Sequence, residues 1–209
     1  MVRVDGTVSE GIEGPISPEE EVQILEHNNT YRMLLSEYKD MLPRFRDLKQ
    51  KETYPLRCAA FCVTIAECDR FARDAETLGI RTRVVTSREC PPGDETALKN
   101  AEEAIERGEI DMIVTVNKLA EGWNFKPLNA VIWARASKSP ALIIQAAGRA
   151  ARAYEDPQHG PQPYALYFET QWRRNDRKFD ATGRPLSLED ALEREGENAK
   201  GILSDKEGK

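Results

Sequence analysis

The stretch QAAGRAAR, residues 145–152, gathers an amide and two guanidiniums in eight residues. On a helix turning about 100° per residue, Gln145, Arg149 and Arg152 stand at i, i+4 and i+7 and share one narrow stripe. Ala146, Ala147, Ala150 and Ala151 offer only methyl groups, so the helix can back closely onto another layer while the arginines reach outward. Gly148 removes a side chain beside Arg149, which lets a ligand or a facing backbone approach, at a helix-propensity cost of about 1 kcal/mol. Cations held in place suit an anion. An arginine pair on an amphipathic helix is more commonly a solvated face, so the surrounding sequence decides between the two.

That surrounding sequence alternates strand and helix. RCAAFCV (57–63) is a short apolar run of the kind buried in a parallel sheet, and Thr64 with Glu67 forms a capping box for a helix ending at Gly79. That helix turns Cys68, Phe71, Ala72, Ala75 and Leu78 to one face. RTRVVTS (81–87) reads as a strand. After the turn-forming CPPGD a second helix runs to Gly108 with Leu98, Ala101 and Ile105 inward, followed by strands in DMIVTV (111–116) and NAVIWA (129–134). Ser139 and Pro140 supply the cap and first turn of the QAAGRAAR helix, and YALYF (164–168) gives a last strand. Such alternation predicts an α/β fold with a mainly parallel sheet, helices on both faces and ligands beyond the carboxyl ends of the strands. The loop after DMIVTV and the start of the QAAGRAAR helix fall at that edge.

The flanks are less regular. Residues 1–16 are Gly-rich and acidic, and read as a mobile lead-in. Ser17, Pro18 and Glu19 to Glu21 start a helix that Pro43 ends or kinks, with Val22, Leu25, Leu34, Leu35, Tyr38, Met41 and Leu42 as a stripe for the domain or for another partner. Beyond residue 170, QWRRNDRK carries Arg173, Arg174, Arg177 and Lys178 beside an aromatic ring, and SLEDALEREGENAKGIL is a charged helix candidate. The expected division is a lead-in and linker over 1–53, a core domain over 54–172 and a charged extension over 173–209. With 209 residues, of which 40% are hydrophobic, the chain can bury one good core. Nothing in it reads as a signal peptide or a membrane span, which points to an intracellular protein. Cys58, Cys62, Cys68 and Cys90 lack the paired spacing of a zinc site, and the first three sit in apolar periodic segments as small hydrophobes, so no metal site is expected. The net charge of −6 argues against indiscriminate coating of nucleic acid but leaves room for a local basic strip.

TVNKLAEGWNFKPLNAVIWARASKSP followed by ALIIQAAGRAAR resembles the C-terminal RecA-like lobe of superfamily 2 helicases and translocases, in the branch of DEAD/DEAH-type proteins and restriction-enzyme motor subunits. In that lobe a strand ending in an EG-x-D loop is motif V and Q-x-x-G-R-x-x-R is motif VI; AAFCVTIAECDRFA is similar to its motif IV. The resemblance spans roughly residues 55–170. It implies a three-layer RecA-like sandwich, ATP with Mg2+ as cofactor, and DNA or RNA as partner. Arg149 and Arg152 would act as arginine fingers on the ATP γ-phosphate, and Gln145 would orient water or bond to the phosphates. Glu121 and Gly122 would link nucleotide state to nucleic-acid grip, with Asn124 near the ribose or motif VI and Gly148 beside the fingers. Thr64, Thr115, Ser137 and Lys138 are the candidates for phosphate contact at strand ends, each with an ordinary reading as a cap or strand residue. Trp123 either stacks on a base or packs under its loop.

Two departures stand out. Asn124 occupies a position more often held by Asp and cannot form an ion pair with Arg149 or Arg152. The sequence also has no G-x-x-x-x-G-K-[ST] loop to cradle phosphates and no acidic box for magnesium, so it carries the arginine half of a composite site. A P-loop lobe in the same longer chain is the expected partner, with negligible ATP hydrolysis by these residues alone and a cytoplasmic, nucleoid or nuclear location. A non-catalytic adaptor with a helicase-like lobe is the alternative. A small-molecule α/β enzyme is a third reading, weakened by the lack of a visible nucleophile and base: neither His27 nor His159 has a catalytic context.

Overall fold

The computed structural model describes residues 2–6, 17–27, 29–47, 54–116, 123–137, 139–172 and 187–196. The chain runs β1 (Val2–Gly6), α1 (Pro18–His27), α2 (Thr30–Asp47), β2 (Cys58–Cys62), α3 (Ile65–Thr77), β3 (Thr82–Val84), α4 (Thr96–Glu106), β4 (Met112–Val116), β5 (Ala130–Trp133), α5 (Pro140–Ala150), the short pair β6 (Glu155–Asp156) and β7 (Gly160–Pro161), and β8 (Leu166–Trp172). Six strands form one sheet in the order β1-β8-β5-β2-β4-β3. All its pairings are parallel. The expected α/β sandwich is therefore present, with every strand's carboxyl end at the same edge.

Alternation along the strands builds the two faces. Cys58, Ala60 and Cys62 of β2 turn toward Leu25, Leu34, Leu35, Tyr38, Phe71 and Ala75 of α1, α2 and α3. Ala59 and Phe61 turn the other way, toward Ala101 and Ile105 of α4 and Ile143, Ala146 and Ala150 of α5. The cysteines at 58, 62 and 68 are fully buried and behave as the small hydrophobes expected of them. Gly79 and Gly108 close α3 and α4 at φ of 74° and 69°, conformations that favour glycine. Among the described residues no helix is long and apolar enough to cross a membrane.

Both flanks differ from expectation. Val2–Gly6, read as part of a mobile lead-in, pairs in parallel with β8, Val2 opposite Phe168. The N-terminal helical stretch breaks at Asn29, not at Pro43: Asn29 sits at φ 50°, a left-handed conformation its short polar side chain tolerates, and α2 runs through Pro43 to Asp47. The stripe of Leu25, Leu34, Leu35 and Tyr38 covers the domain's own sheet, so the expected border at residue 54 does not bound the core. The side chain of Leu42 lies outside the described residues. Residues 188–196 are helical, and Ala191 is buried with α4 and α5 although it falls in the expected extension. Ser187 caps this turn: its Oγ accepts from the Asp190 amide at 3.2 Å, while the Asp190 carboxylate accepts from the Ser187 amide at 2.9 Å. Residues 173–178 of the basic QWRRNDRK stretch lie outside the described residues.

Candidate functional site

Because the sheet is parallel, the segments after β2, β3, β4 and β5 emerge at one edge, which carries Thr64, Ser137 and Ser139, whereas α5 runs back from that edge and ends, with Arg149 in its last turn, toward the amino edge. Thr64 is the N-cap of α3, its Oγ1 accepting from the Glu67 amide at 3.2 Å. Thr115, the other threonine expected at a phosphate, is fully buried in β4 with its hydroxyl donating to the Val116 carbonyl at 3.0 Å. Ser137, largely buried, accepts from the Ser139 amide at 3.1 Å and shapes the turn into α5. Ser139 holds the N-cap position before Pro140 but makes no side-chain cap bond. Glu121, Gly122 and Lys138 lie outside the described residues.

The QAAGRAAR segment is helical only to Ala150, so the single stripe inferred from spacing is broken at its end. Gln145 and Gly148 are exposed on α5, and a Cβ at Gly148 would meet open space. Arg149 does not reach outward: it is only 7% exposed, and its Nη1 donates to the carbonyl of Trp123. Arg152 leaves the turn beyond the helix, where its Nη1 donates to Asn124 Oδ1 at 2.6 Å. The segment that follows β4 thus holds both guanidiniums, and Asn124 meets Arg152 as a neutral acceptor. Arg149 keeps a buried Nε with no hydrogen-bond partner. Burial, and then the positive charge of Arg152, push the Arg149 pKa below the usual guanidinium value. Among the described residues no carboxylate pairs with either one. Two cations so placed suit a multiply charged anion with oxygen acceptors, the chemistry of a phosphate.

Trp123 packs under its loop, which decides between the two expectations for it. Its ring is 6% exposed and stacks on Phe125 with centroids 5.9 Å apart and planes 5° apart. Its Nε1–H donates to Glu102 Oε1 of α4 at 2.6 Å. Burial raises the Glu102 pKa above the ordinary carboxylate value despite that bond. On the other side of the edge, Glu21 of α1 takes hydrogen bonds from Arg135 Nε at 3.1 Å, Arg135 Nη2 at 3.0 Å and the Ala136 amide at 2.7 Å. This clamp fixes the chain just after β5, and Arg135 lies over the Trp133 ring at 5.5 Å. Spacing missed both Glu102 and Glu21. Glu21 stands in a run of three glutamates whose evident role is at the helix dipole, and nothing in the run marks the one that turns inward.

The sequence profile of the helicase conserved C-terminal domain matches residues 40–154, more than half of the chain. Among solved structures, the C-terminal part of the Fun30 ATPase domain is similar at 16% identity and a TM-score of 0.50, covering 78% of this chain and 50% of that one. The E. coli DEAD-box protein SrmB, solved bound to the regulator of ribonuclease activity A, is similar at 11% identity and a TM-score of 0.49, covering 82% and 79%. The Pyrococcus furiosus Hef helicase domain is similar at 13% identity and a TM-score of 0.43, covering 71% of this chain but only 27% of that one. The chain thus spans about a quarter of the Hef chain and half of the Fun30 one. No curated protein matches significantly. On the profile match and the parallel three-layer fold, the chain belongs to the helicase conserved C-terminal domain family.

Proposed function

We propose that this lobe is the arginine-bearing half of a nucleic-acid-dependent ATPase, a helicase or translocase, whose phosphate-cradling half is a P-loop lobe of the same longer chain. Arg149 and Arg152 stabilise the charge that develops on the γ-phosphoryl group as it leaves ADP, and Gln145, exposed one turn before Arg149, orients the attacking water. Asn124 holds Arg152 without neutralising it, so both positive charges stay available to ATP with Mg2+. Glu121 and Gly122, together with Thr64, Ser137 and Lys138, connect that site to the DNA or RNA backbone at the carboxyl edge.

The observation that carries this reading is the pair of neighbouring guanidiniums with no carboxylate partner among the described residues, one of them buried with an unpaired Nε. A buried cation is costly unless something neutralises it, and a phosphate entering from the facing lobe does so. The test is Arg149→Ala in the two-lobe protein. Nucleic-acid-stimulated turnover falls by about 10³-fold or more, as for other arginine fingers, while ATP binding stays within a few-fold. Unchanged turnover would sink the assignment. The adaptor reading draws on one feature, the bond from Arg149 to the Trp123 carbonyl, which uses part of the guanidinium inside the lobe. An adaptor shows no ATPase with either residue at 149.

A further inference from the structure

We propose that Glu102 is a positioning residue for Arg149, acting through Trp123; the idea rests on the reading of Arg149 given above. Trp123 ties the middle of α4 to the last turn of α5. Its indole N–H is tied to Glu102 on α4, and its backbone carbonyl receives Nη1 of Arg149 at the end of α5. The two contacts belong to one residue, so a shift of the indole carries the carbonyl with it. The ring has little room to adjust alone, because it is buried and stacked on Phe125.

The need for such an anchor follows from the loop itself. Among the described residues Arg149 has no carboxylate partner, and its guanidinium donates to that one carbonyl. A side-chain guanidinium held by one backbone oxygen is placed only as well as that oxygen. Glu102 supplies the rigidity from outside the loop, through a 2.6 Å bond whose carboxylate acceptor makes it stronger than a neutral one. Remote groups of this kind matter because misplacing a catalytic side chain by about 1 Å can cost on the order of 100-fold in rate. Glu102 lies well before both helicase motifs, on a helix whose sequence shows only an amphipathic pattern.

The experiment compares Glu102→Ala, Glu102→Gln, Trp123→Phe and the double variant Glu102→Ala/Trp123→Phe with Arg149→Ala in the two-lobe protein, reading kcat, KM for ATP and Tm for each. Glu102→Ala lowers kcat by about tenfold with KM for ATP within about twofold. Glu102→Gln, which keeps an oxygen acceptor for the indole N–H, restores most of the loss. Trp123→Phe removes the donor and keeps the ring, so it reproduces the loss, and the double variant is no slower than either single one. A merely structural bond would lower Tm and leave kcat per folded molecule where it was, which overturns the proposal. So does an unchanged kcat in Trp123→Phe, should Glu102→Ala fail to fold. If Arg149→Ala is inactive while Glu102→Ala and Trp123→Phe turn over normally, the positioning role alone fails. If Arg149→Ala itself turns over normally, the reading of the site fails and the positioning role falls with it.

Discussion

Arg57 and Arg149 are buried to nearly the same extent, 5% and 7% exposed. Arg57 precedes β2 at the amino edge, where its Nη2 meets Asp156 Oδ2 at 2.7 Å. The same Asp156 carboxylate also accepts from the Gln158 amide at 2.9 Å and the His159 amide at 3.0 Å, and its Oδ1 lies 2.9 Å from His159 Nδ1. The neighbouring Asn129 locks the strand starts together, accepting from the Arg57 amide at 2.8 Å and donating to the Pro55 carbonyl at 2.8 Å. Arg149, in the last turn of α5, has a carbonyl and a second guanidinium for neighbours. Both arginines keep nitrogens without partners, Nε and Nη1 in Arg57 and Nε in Arg149, but among the described residues only Arg57 has its charge answered by a carboxylate. The difference separates a cation that closes a structure from one that waits for a ligand.

Removing the countercharge is the strongest way to break this contrast. Asp156→Ala leaves Arg57 buried and unpaired and should cost about 3–5 kcal/mol of stability, read in denaturant unfolding. Arg149→Met, in the same assay, should move stability by less than about 1 kcal/mol, because no ion pair is lost and an unanswered buried charge is removed. A loss for Arg149→Met as large as for Asp156→Ala would mean that Arg149 is structural too.

Thr64→Ala removes one helix cap at the carboxyl edge and should cost about 1 kcal/mol, the usual worth of a cap. A larger loss in turnover than in stability would show Thr64 touching nucleic acid as well.

The smallest effect is on pH dependence, where Asp156, beside Arg57, and Glu102, beside Trp123, should have opposite signs. Burial alone would raise the Asp156 pKa, but the hydrogen bonds from His159 and the Gln158 amide, with Arg57, hold it well below the ordinary value. A depressed folded pKa adds stability above the unfolded value of about 4 and loses it as pH falls toward the folded one. Glu102 has a raised pKa, so its ionised form opposes folding and stability recovers as pH drops through the folded value. Asp156→Asn should therefore flatten the acid side of the Tm profile, whereas Glu102→Gln should steepen it. Profiles unchanged by both substitutions would contradict these environments.

How much of this could be read from the sequence depended on the range of the interaction. β2, β4 and β5 announced themselves as short apolar runs, and α3 carried its cap and its closing glycine in place. β1 did not, since VRVDG is brief and half polar and owes its pairing to β8, more than 150 residues away. Pro43 misled because the break depends on the left-handed backbone at Asn29, which asparagine allows but does not require. The arginines of motif VI were recognisable by type and spacing, yet the burial of Arg149 follows from Trp123, 26 residues earlier. Arg57 and Asp156, 99 residues apart, gave no local sign of each other.

The central claim is that Arg149 and Arg152 hold positive charge in reserve for phosphate, and the direct measurement is the Tm of this chain against increasing tripolyphosphate, with sulfate at equal ionic strength as control, for the native sequence and Arg149→Met. A ligand that binds only the folded state raises Tm as its concentration passes the dissociation constant. A tripolyphosphate-specific rise in the native chain that disappears in Arg149→Met is the predicted result. An equal rise in both chains, or none beyond the sulfate control in either, would contradict the claim.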